Sequence, residues 1–328
     1  GFRITIIDPA QHKNSSYGAL GLLMGNIYQK RRGRSWDLRK QSIELWPKWI
    51  EFLREFNQEL NIEKPLIQLT TNKEKFKKIE RFIQETNDLN LRILDQNSFY
   101  IKNINRVFQT KDIKGMVSLN DGRINATSLL NTLDMYLKNK KVNFLEDKIK
   151  KIRKSNNQWI AISQNNQEIK ADIIILCNSL GAIDLIDSSS HNIKLKPVLG
   201  QAIEIGVNDA EVDLLSLPKQ LNINGKNIIP ISKDKIIIGS TDEYSTKPED
   251  NIVEKLTNFL DKKPNWLIKG EVLRKWFGIR SRPNGESSPI MRNLEDGLFI
   301  CTGFYKNGIL LAPACSRWVA KEIEKYFS

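Results

Sequence analysis

Short apolar runs and helical stripes alternate along the chain, and their order is informative. The run "RITIID" opens it: Ile4, Ile6 and Ile7 are branched at the β-carbon and Asp8 closes the run, which predicts a buried strand ending in an acid. "AQHKNSSYGALGLLMGN" follows, with the small and polar residues of a loop. "WDLRKQSIELWPKWIEFLREFNQEL" then carries Trp46, Trp49, Leu53, Phe56 and Leu60 at helical spacing, with Pro47 as a kink or restart. "KEKFKKIERFIQETNDL" predicts a second helix with Phe76, Ile79 and Ile83 on one face. "DGRINATSLLNTLDMYLKNK" predicts a turn at Asp121-Gly122 and a helix burying Leu129, Leu133 and Leu137.

The pattern changes after residue 145. "KIKKIRKSNNQWIAISQNNQEIKADIIILCN" reads as a hairpin or meander ending in a buried strand, Ile173 to Cys177. Short alternating segments, "LKPVLGQAIEIGV", "NIIPI" and "KIIIGST", fill 194–242 and predict an antiparallel sheet within 194–269. A helix is expected over Ile252–Leu260, a strand over Leu298–Cys301, and a last helix from near Pro313 to Tyr326. Strands, helices, a β-rich block and then a strand and helix again suggest one domain inserted into another.

Composition narrows the chemistry. The 328 residues carry 40% hydrophobic residues and no apolar run long enough to span a bilayer, which suits a globular protein in the cytoplasm. Cys177, Cys301 and Cys315 are far apart in sequence and odd in number, so neither a disulfide framework nor a zinc site is expected. Only His12 and His191 are present, both read as surface residues, which argues against Ser-His-Asp hydrolysis and histidine metal sites. The net charge of +13 is dispersed among acids and core positions. It reads as a solvated basic surface that favours anionic ligands, with no nucleic-acid module.

The sharpest motif is "GLFICTGFYKNGILLAPA". A strand ends at a glycine, crosses a polar turn and enters a helix through Gly308, which bares the N–H groups of Ile309 to Leu311 and favours a negative charge there. Upstream stands "WFGIRSRPNGESSPIM", with Arg280 after a glycine at a strand end. Together with "RITIIDP", "NSSYGALGLL", "LKPVLGQAIEI" and "IIPISKDKIIIGSTDE" in the same order, these segments resemble the FAD-dependent D-amino-acid oxidase superfamily, and most closely its glycine-oxidase-like branch.

The resemblance covers essentially the whole chain. It implies an α/β and α+β fold: a Rossmann-type FAD-binding domain over 1–60, 120–190 and 290–328, and an antiparallel substrate domain over 61–119 and 191–289. It implies FAD as cofactor and a small amine with a carboxylate, such as glycine, a D-amino acid or an N-substituted amino acid, as substrate. Hydride would pass to the flavin, with oxygen as acceptor. By position, Asp8 would meet the ribose, Ile149 the adenine, and Ser15, Ser16, Gly21 and Leu22 the flavin. Gly303, Lys306, Asn307, Gly308, Ile309 and Leu310 would lie under its pyrimidine end. Arg280 would take the substrate carboxylate through its fork of donors, aided by Lys306 or Asn227.

Several positions depart from that pattern. Asn227 stands where relatives often have tyrosine, Lys306 where arginine is common, Cys177–Ser179 where "aaG" is usual, and Asp242 where the close branch is apolar. The first strand, glycine-rich loop and first helix of the fold have no counterpart. Arg3–Asp8 and Leu298–Cys301 are therefore expected to present unpaired edges to a common gap, with poor stability and weak FAD binding. The other reading is a flavoprotein relative without cofactor, acting non-catalytically or with a partner.

Overall fold

The computed structural model describes residues 2–9, 15–186 and 191–328. His12 lies outside them. Strand β1 (Thr5–Ile7) is followed by a turn-rich loop and the short β2 (Leu22–Leu23). Helix α1 (Arg34–Leu53) runs unbroken through Pro47, without the expected restart. Pro47 forgoes one backbone bond, but next to it the Trp46 indole donates to Leu310 O at 3.0 Å and ties the helix to the C-terminal one. The stripe beyond Leu53 is not helical; a turn, with Phe56 N donating to Leu53 O at 3.0 Å, carries Leu60 into the core.

Next come β3 (Leu66–Thr70), α2 (Lys73–Thr86), β4 (Leu91–Leu94), α3 (Phe99–Phe108), β5 (Lys114–Ser118) and β6 (Gly122–Arg123). Asn72 caps α2 by accepting from Lys75 N, and Asn125 caps α4 (Ala126–Asn139) by accepting from Ser128 N. The strands β7 (Asn143–Leu145), β8 (Ile149–Ser155), β9 (Gln158–Ser163), β10 (Glu168–Ala171) and β11 (Ile174–Leu176) follow. Of these, β8, β9 and β10 form the expected antiparallel meander.

The β-rich block holds β12 (Leu195–Gly206), β13 (Leu221–Ile223), β14 (Lys226–Ser232) and β15 (Lys235–Gly239). Helices α5 (Ile252–Thr257) and α6 (Asn265–Ile268) lead to β16 (Glu271–Pro283), β17 (Ile290–Glu295), β18 (Leu298–Thr302) and α7 (Gly308–Phe327). Helix α5 is shorter than the apolar pattern suggested. Helix α7 starts at Gly308, and Pro313, expected near its start, lies inside it.

One sheet dominates, in the order β16-β12-β15-β14-β13-β3-β5-β4. Its pairs are antiparallel except β13 with β3. Side chains alternate across it. Ile67, Leu69, Ile203, Ile205, Leu221, Ile223, Ile228, Ile236 and Ile238 enter one core with Ile101, Ile104, Leu256 and Trp266 from the helices. Trp266 closes this core by donating Nε1 to Val107 O at 2.6 Å. A second core joins α1, α4 and α7 through Trp46, Leu53, Leu129, Leu310 and Leu311.

The smaller sheets correct one expectation. β1 pairs in parallel with β7 alone, whereas β18 lies between β11, parallel, and β17, antiparallel. Leu298–Cys301 therefore has no free edge; β17 and β11 occupy both sides. The edge lies on β11 instead, which is only partly buried, with Ile175 37% exposed. His191 is also less exposed than expected: its side chain is largely covered, with Nε2 3.5 Å from a Glu295 oxygen. Among the described residues no helix is long and apolar enough to cross a membrane.

Candidate active site

The face of the large sheet opposite its core floors a cavity of about 2700 Å³. Alternation puts Gly278 and Arg280 of β16, Gly200 and Ala202 of β12, Gly239 of β15 and Asn227 of β14 on this face. Small residues let other groups approach. The loop at 15–21 crosses the floor: Ser15 Oγ donates to Ile279 O at 2.8 Å, and Trp276 Nε1 donates to Gly18 O at 3.1 Å. Gly21 adopts φ 77°, and a Cβ there would stand 1.7 Å from Ile124 O, so only glycine lets the loop pass.

Arg280 lies on the bare backbone of Gly200, where a Cβ would stand 1.9 Å from its Nη2. Nη2 donates to Ser240 Oγ at 2.7 Å, and Nη1 donates to Thr241 O at 3.1 Å and Leu199 O at 3.5 Å. Nε–H and the second Nη2 hydrogen have no acceptor among the described residues. They form the side-on fork that a carboxylate accepts. Burial lowers the pKa of the guanidinium, which nonetheless stays charged at neutral pH.

Asp242 stands beside it, with Oδ1 3.8 Å from Arg280 Nη1. Lys306 Nζ and Tyr305 Oη each donate to this carboxylate at 2.7 Å. Burial alone would raise the Asp242 carboxyl. The hydrogen bonds from Lys306 and Tyr305 and the charges of Lys306 and Arg280 outweigh it and hold the pKa below the usual range. Burial and the bond to Asp242 push the Tyr305 phenol up. Lys306, expected at the substrate, is thus paired with Asp242.

The turn from β18 into α7 forms the opposite wall. Gly303 has φ 68° and Tyr305 φ 54°, a left-handed conformation that a non-glycine residue adopts only when its surroundings enforce it. Here Tyr305 N donates to Ser281 O at 3.0 Å and its hydroxyl is fixed on Asp242. Asn307 makes no side-chain cap, so the first N–H groups of α7 are left to whatever lies in front of them. Lys306, Asn307, Gly308 and Ile309 line the cavity, while Leu310 is buried in the core behind and Gly303 packs on Pro283.

From this end the cavity runs past Ser15, Ser16, Gly21 and Leu22 to Asp8, Asp147 and Ile149, and is bordered by both β1 and β11. Asp8 follows β1, with its N–H on Leu145 O at 3.2 Å. Thus the structure brings the sequence-predicted residues to one continuous cavity, Gly303 and Leu310 excepted. Sequence reasoning missed Gly200 and Ser240, which position Arg280, and the acceptor role of Asp242. The last had a signal, a charge just past the end of an apolar strand; the first two had none, since their role depends on cross-strand register. Among the described residues no group of histidine, cysteine or acid side chains could hold a metal ion.

A family model described as FAD dependent oxidoreductase (DAO) matches residues 1–322. A glycine oxidase of Pseudomonas aeruginosa is 28% identical over 166 residues, 49% of this chain and 44% of that one, so the match takes in less than half of that relative. In fold, the chain is similar to a glycine oxidase structure from Bacillus cereus, with a TM-score of 0.84 and 19% identity over 99% of this chain and 91% of the other. It is also similar to an iminodiacetate oxidase structure from a Chelativorans species, with a TM-score of 0.80 and 16% identity over 97% and 88%. The match over nearly its whole length places the chain in the DAO family of FAD-dependent oxidoreductases.

Proposed function

We propose that this protein oxidises the C–N bond of a small amine bearing a carboxylate: glycine, a D-amino acid or an N-substituted amino acid. The observation that carries the reading is the open donor fork of Arg280, held over Gly200 in the same cavity as the uncapped start of α7. The donor set fits FAD. A charge on its ring would be met by backbone N–H groups at Gly308–Leu310 beside Lys306 and Asn307, and Gly303 shapes the turn. Ser15, Ser16, Gly21 and Leu22 would pass along the ring, with Ile149 at the adenine and Asp8 at the ribose. Bound FAD supplies the acceptor for the hydride leaving the substrate carbon, with oxygen regenerating it and yielding hydrogen peroxide.

The chain's own residues would bind and orient. Arg280 offers Nε–H and Nη2–H to the carboxylate, and this anchor sets which substrate hydrogen faces the ring. Asp242 lowers the net positive charge around Arg280 and Lys306, so the site would favour zwitterions over dianions. The loop at 15–21 lies over the floor, where it would help to shield the reacting atoms from water. No nucleophilic side chain is required, which suits a cavity whose described lining holds no histidine and where burial pushes the Cys177 thiol up.

The test is hydrogen peroxide release by FAD-loaded protein with glycine, sarcosine and D-alanine. Turnover of at least one is expected, with the corresponding esters turned over far more slowly. FAD-loaded protein inert to the whole panel would overturn the reading, and failure of the chain to bind FAD would favour a non-catalytic relative.

A further inference from the structure

We propose that a second, smaller pocket outside the oxidation cavity binds a phosphate group through Lys196 and Arg282. It measures about 690 Å³, and Tyr305 lines both it and the large cavity. Arg280 lines only the large cavity and Arg282 only the small one, so the two arginines serve different spaces. Strand register sets the two cations side by side. Lys196 of β12 directly opposes Arg282 of β16, which puts their Cβ atoms about 5 Å apart. Like charges in that position repel and cost stability unless an opposite charge joins them. Among the described residues neither forms an ion pair, and the one carboxylate in the lining, Glu286, is engaged by Arg292 Nη2 at 2.6 Å. The pocket therefore holds two uncompensated positive charges.

Arg282 is also preorganised. Its guanidinium carbon lies 4.9 Å from the ring centroid of Tyr305 and 5.6 Å from that of Tyr244, and Nη1 donates to Tyr244 Oη. Its Nε and Nη2 make no hydrogen bond among the described residues, and neither atom is buried. A guanidinium fixed between two rings has already lost the side-chain freedom that binding would otherwise cost, and its planar fork suits phosphate oxygens. Lys196 is exposed and adds a point charge, while Asn284 and Ser287 of the adjoining turn bring a carboxamide and a hydroxyl to the same lining. Charge then sets the ligand class. A dianion neutralises both cations, whereas a monocarboxylate leaves one of them unpaired. A phosphate group carries up to two charges and several acceptor oxygens on one centre. The volume falls among small-molecule sites, roughly 300–1,000 Å³, so there is room for a small molecule that carries the phosphate.

The site is tested by isothermal titration of the purified protein, with and without FAD, using phenyl phosphate, inorganic phosphate and acetate at mildly alkaline pH. Both phosphates are expected to bind one site per chain at least about tenfold tighter than acetate, whether or not FAD is present. Phenyl phosphate binding more tightly than inorganic phosphate would assign the pocket to a carried phosphate, and equal or weaker binding to the free ion. Lys196→Gln and Arg282→Gln should each weaken phosphate binding by about tenfold or more. Lys219→Gln, an equal loss of charge at an exposed position outside the pocket, should leave it unchanged, and so should Arg280→Met. No saturable phosphate binding, equal affinity for acetate, or a loss in Lys219→Gln matching that in Arg282→Gln would overturn the site. Binding abolished by FAD or by Arg280→Met would also overturn it, by placing the anion in the large cavity.

Discussion

The two ends of the cavity are built differently. At the Arg280 end, eight hydrogen-bonded strands form a continuous floor, and two charged groups over it are held by neighbours: Arg280 by Ser240 and Thr241, Asp242 by Tyr305 and Lys306. At the Asp8 end, two-stranded β1-β7 and three-stranded β11-β18-β17 border the cavity without a common ladder, and Ile4 and Ile175 remain exposed. Preorganisation therefore lies at the end where a substrate would be oriented. The other end, where a nucleotide would lie, has fewer internal restraints.

The comparison is broken most severely at Arg280. Arg280→Met should reduce kcat/KM for carboxylate-bearing amines by roughly 2–5 kcal/mol of binding, a factor of about thirty to several thousand. Esters of the same amines should be much less affected. Steady-state kinetics with paired acids and esters checks this, and equal losses for both would remove the anchor.

Gly200→Ala probes the same anchor without touching its charge. The new methyl would fall 1.9 Å from Nη2, so the guanidinium must leave its seat. A loss of about 1–3 kcal/mol is expected, read as a raised KM for the acids with the melting temperature shifted only modestly. A variant with unchanged KM would show that the position of Arg280 over Gly200 is irrelevant to substrate.

Asp242→Asn should act in the opposite direction and more weakly. Removing the resident carboxylate 3.8 Å from Arg280 should tighten carboxylate ligands by up to about 1 kcal/mol, since this partly exposed group is screened by solvent. It also has a pH signature. The Asp242 pKa is depressed in the folded protein, so its stabilising contribution is complete above the ordinary carboxylate range and is lost as pH falls through the lowered value. Melting temperature measured against pH should therefore fall less steeply on the acid side in Asp242→Asn than in wild type. Parallel curves would contradict the assignment.

The smallest effect concerns the other end of the cavity. Amides of β1 and β11, paired on one side only, should exchange with deuterium faster than those of β12 and β15, paired on both. Equal protection would erase the contrast between the two ends.

Much of this was legible in residue patterns. Alternation in "LKPVLGQAIEI" and "KIIIGST" follows from one face meeting a core and the other a cavity, and glycines at 21 and 303 mark positive backbone angles. Arg280 and the start of α7 were legible because each sits at an end of a regular element. What escaped was long-range. The neighbours of β18 include β11, far earlier in the chain, and the exposure of Ile175 follows from the place of β11 at the edge of that sheet. Pro47 read locally as a kink or restart and Pro313 as a helix start, but both lie inside helices where α1 packs against α7. The Asp242 cluster needed a strand end and a turn 60 residues apart to meet, which no spacing rule encodes.

The most direct measurement is an anaerobic titration of FAD-loaded wild type and Arg280→Met with sarcosine, glycine and D-alanine, following the flavin absorbance. Wild type should be bleached by at least one of these amines, with half-saturation at a far lower concentration than in Arg280→Met. An unbleached flavin in the wild type, or the same concentration dependence in both proteins, would contradict the assignment of this cavity to oxidation of a carboxylate-anchored amine.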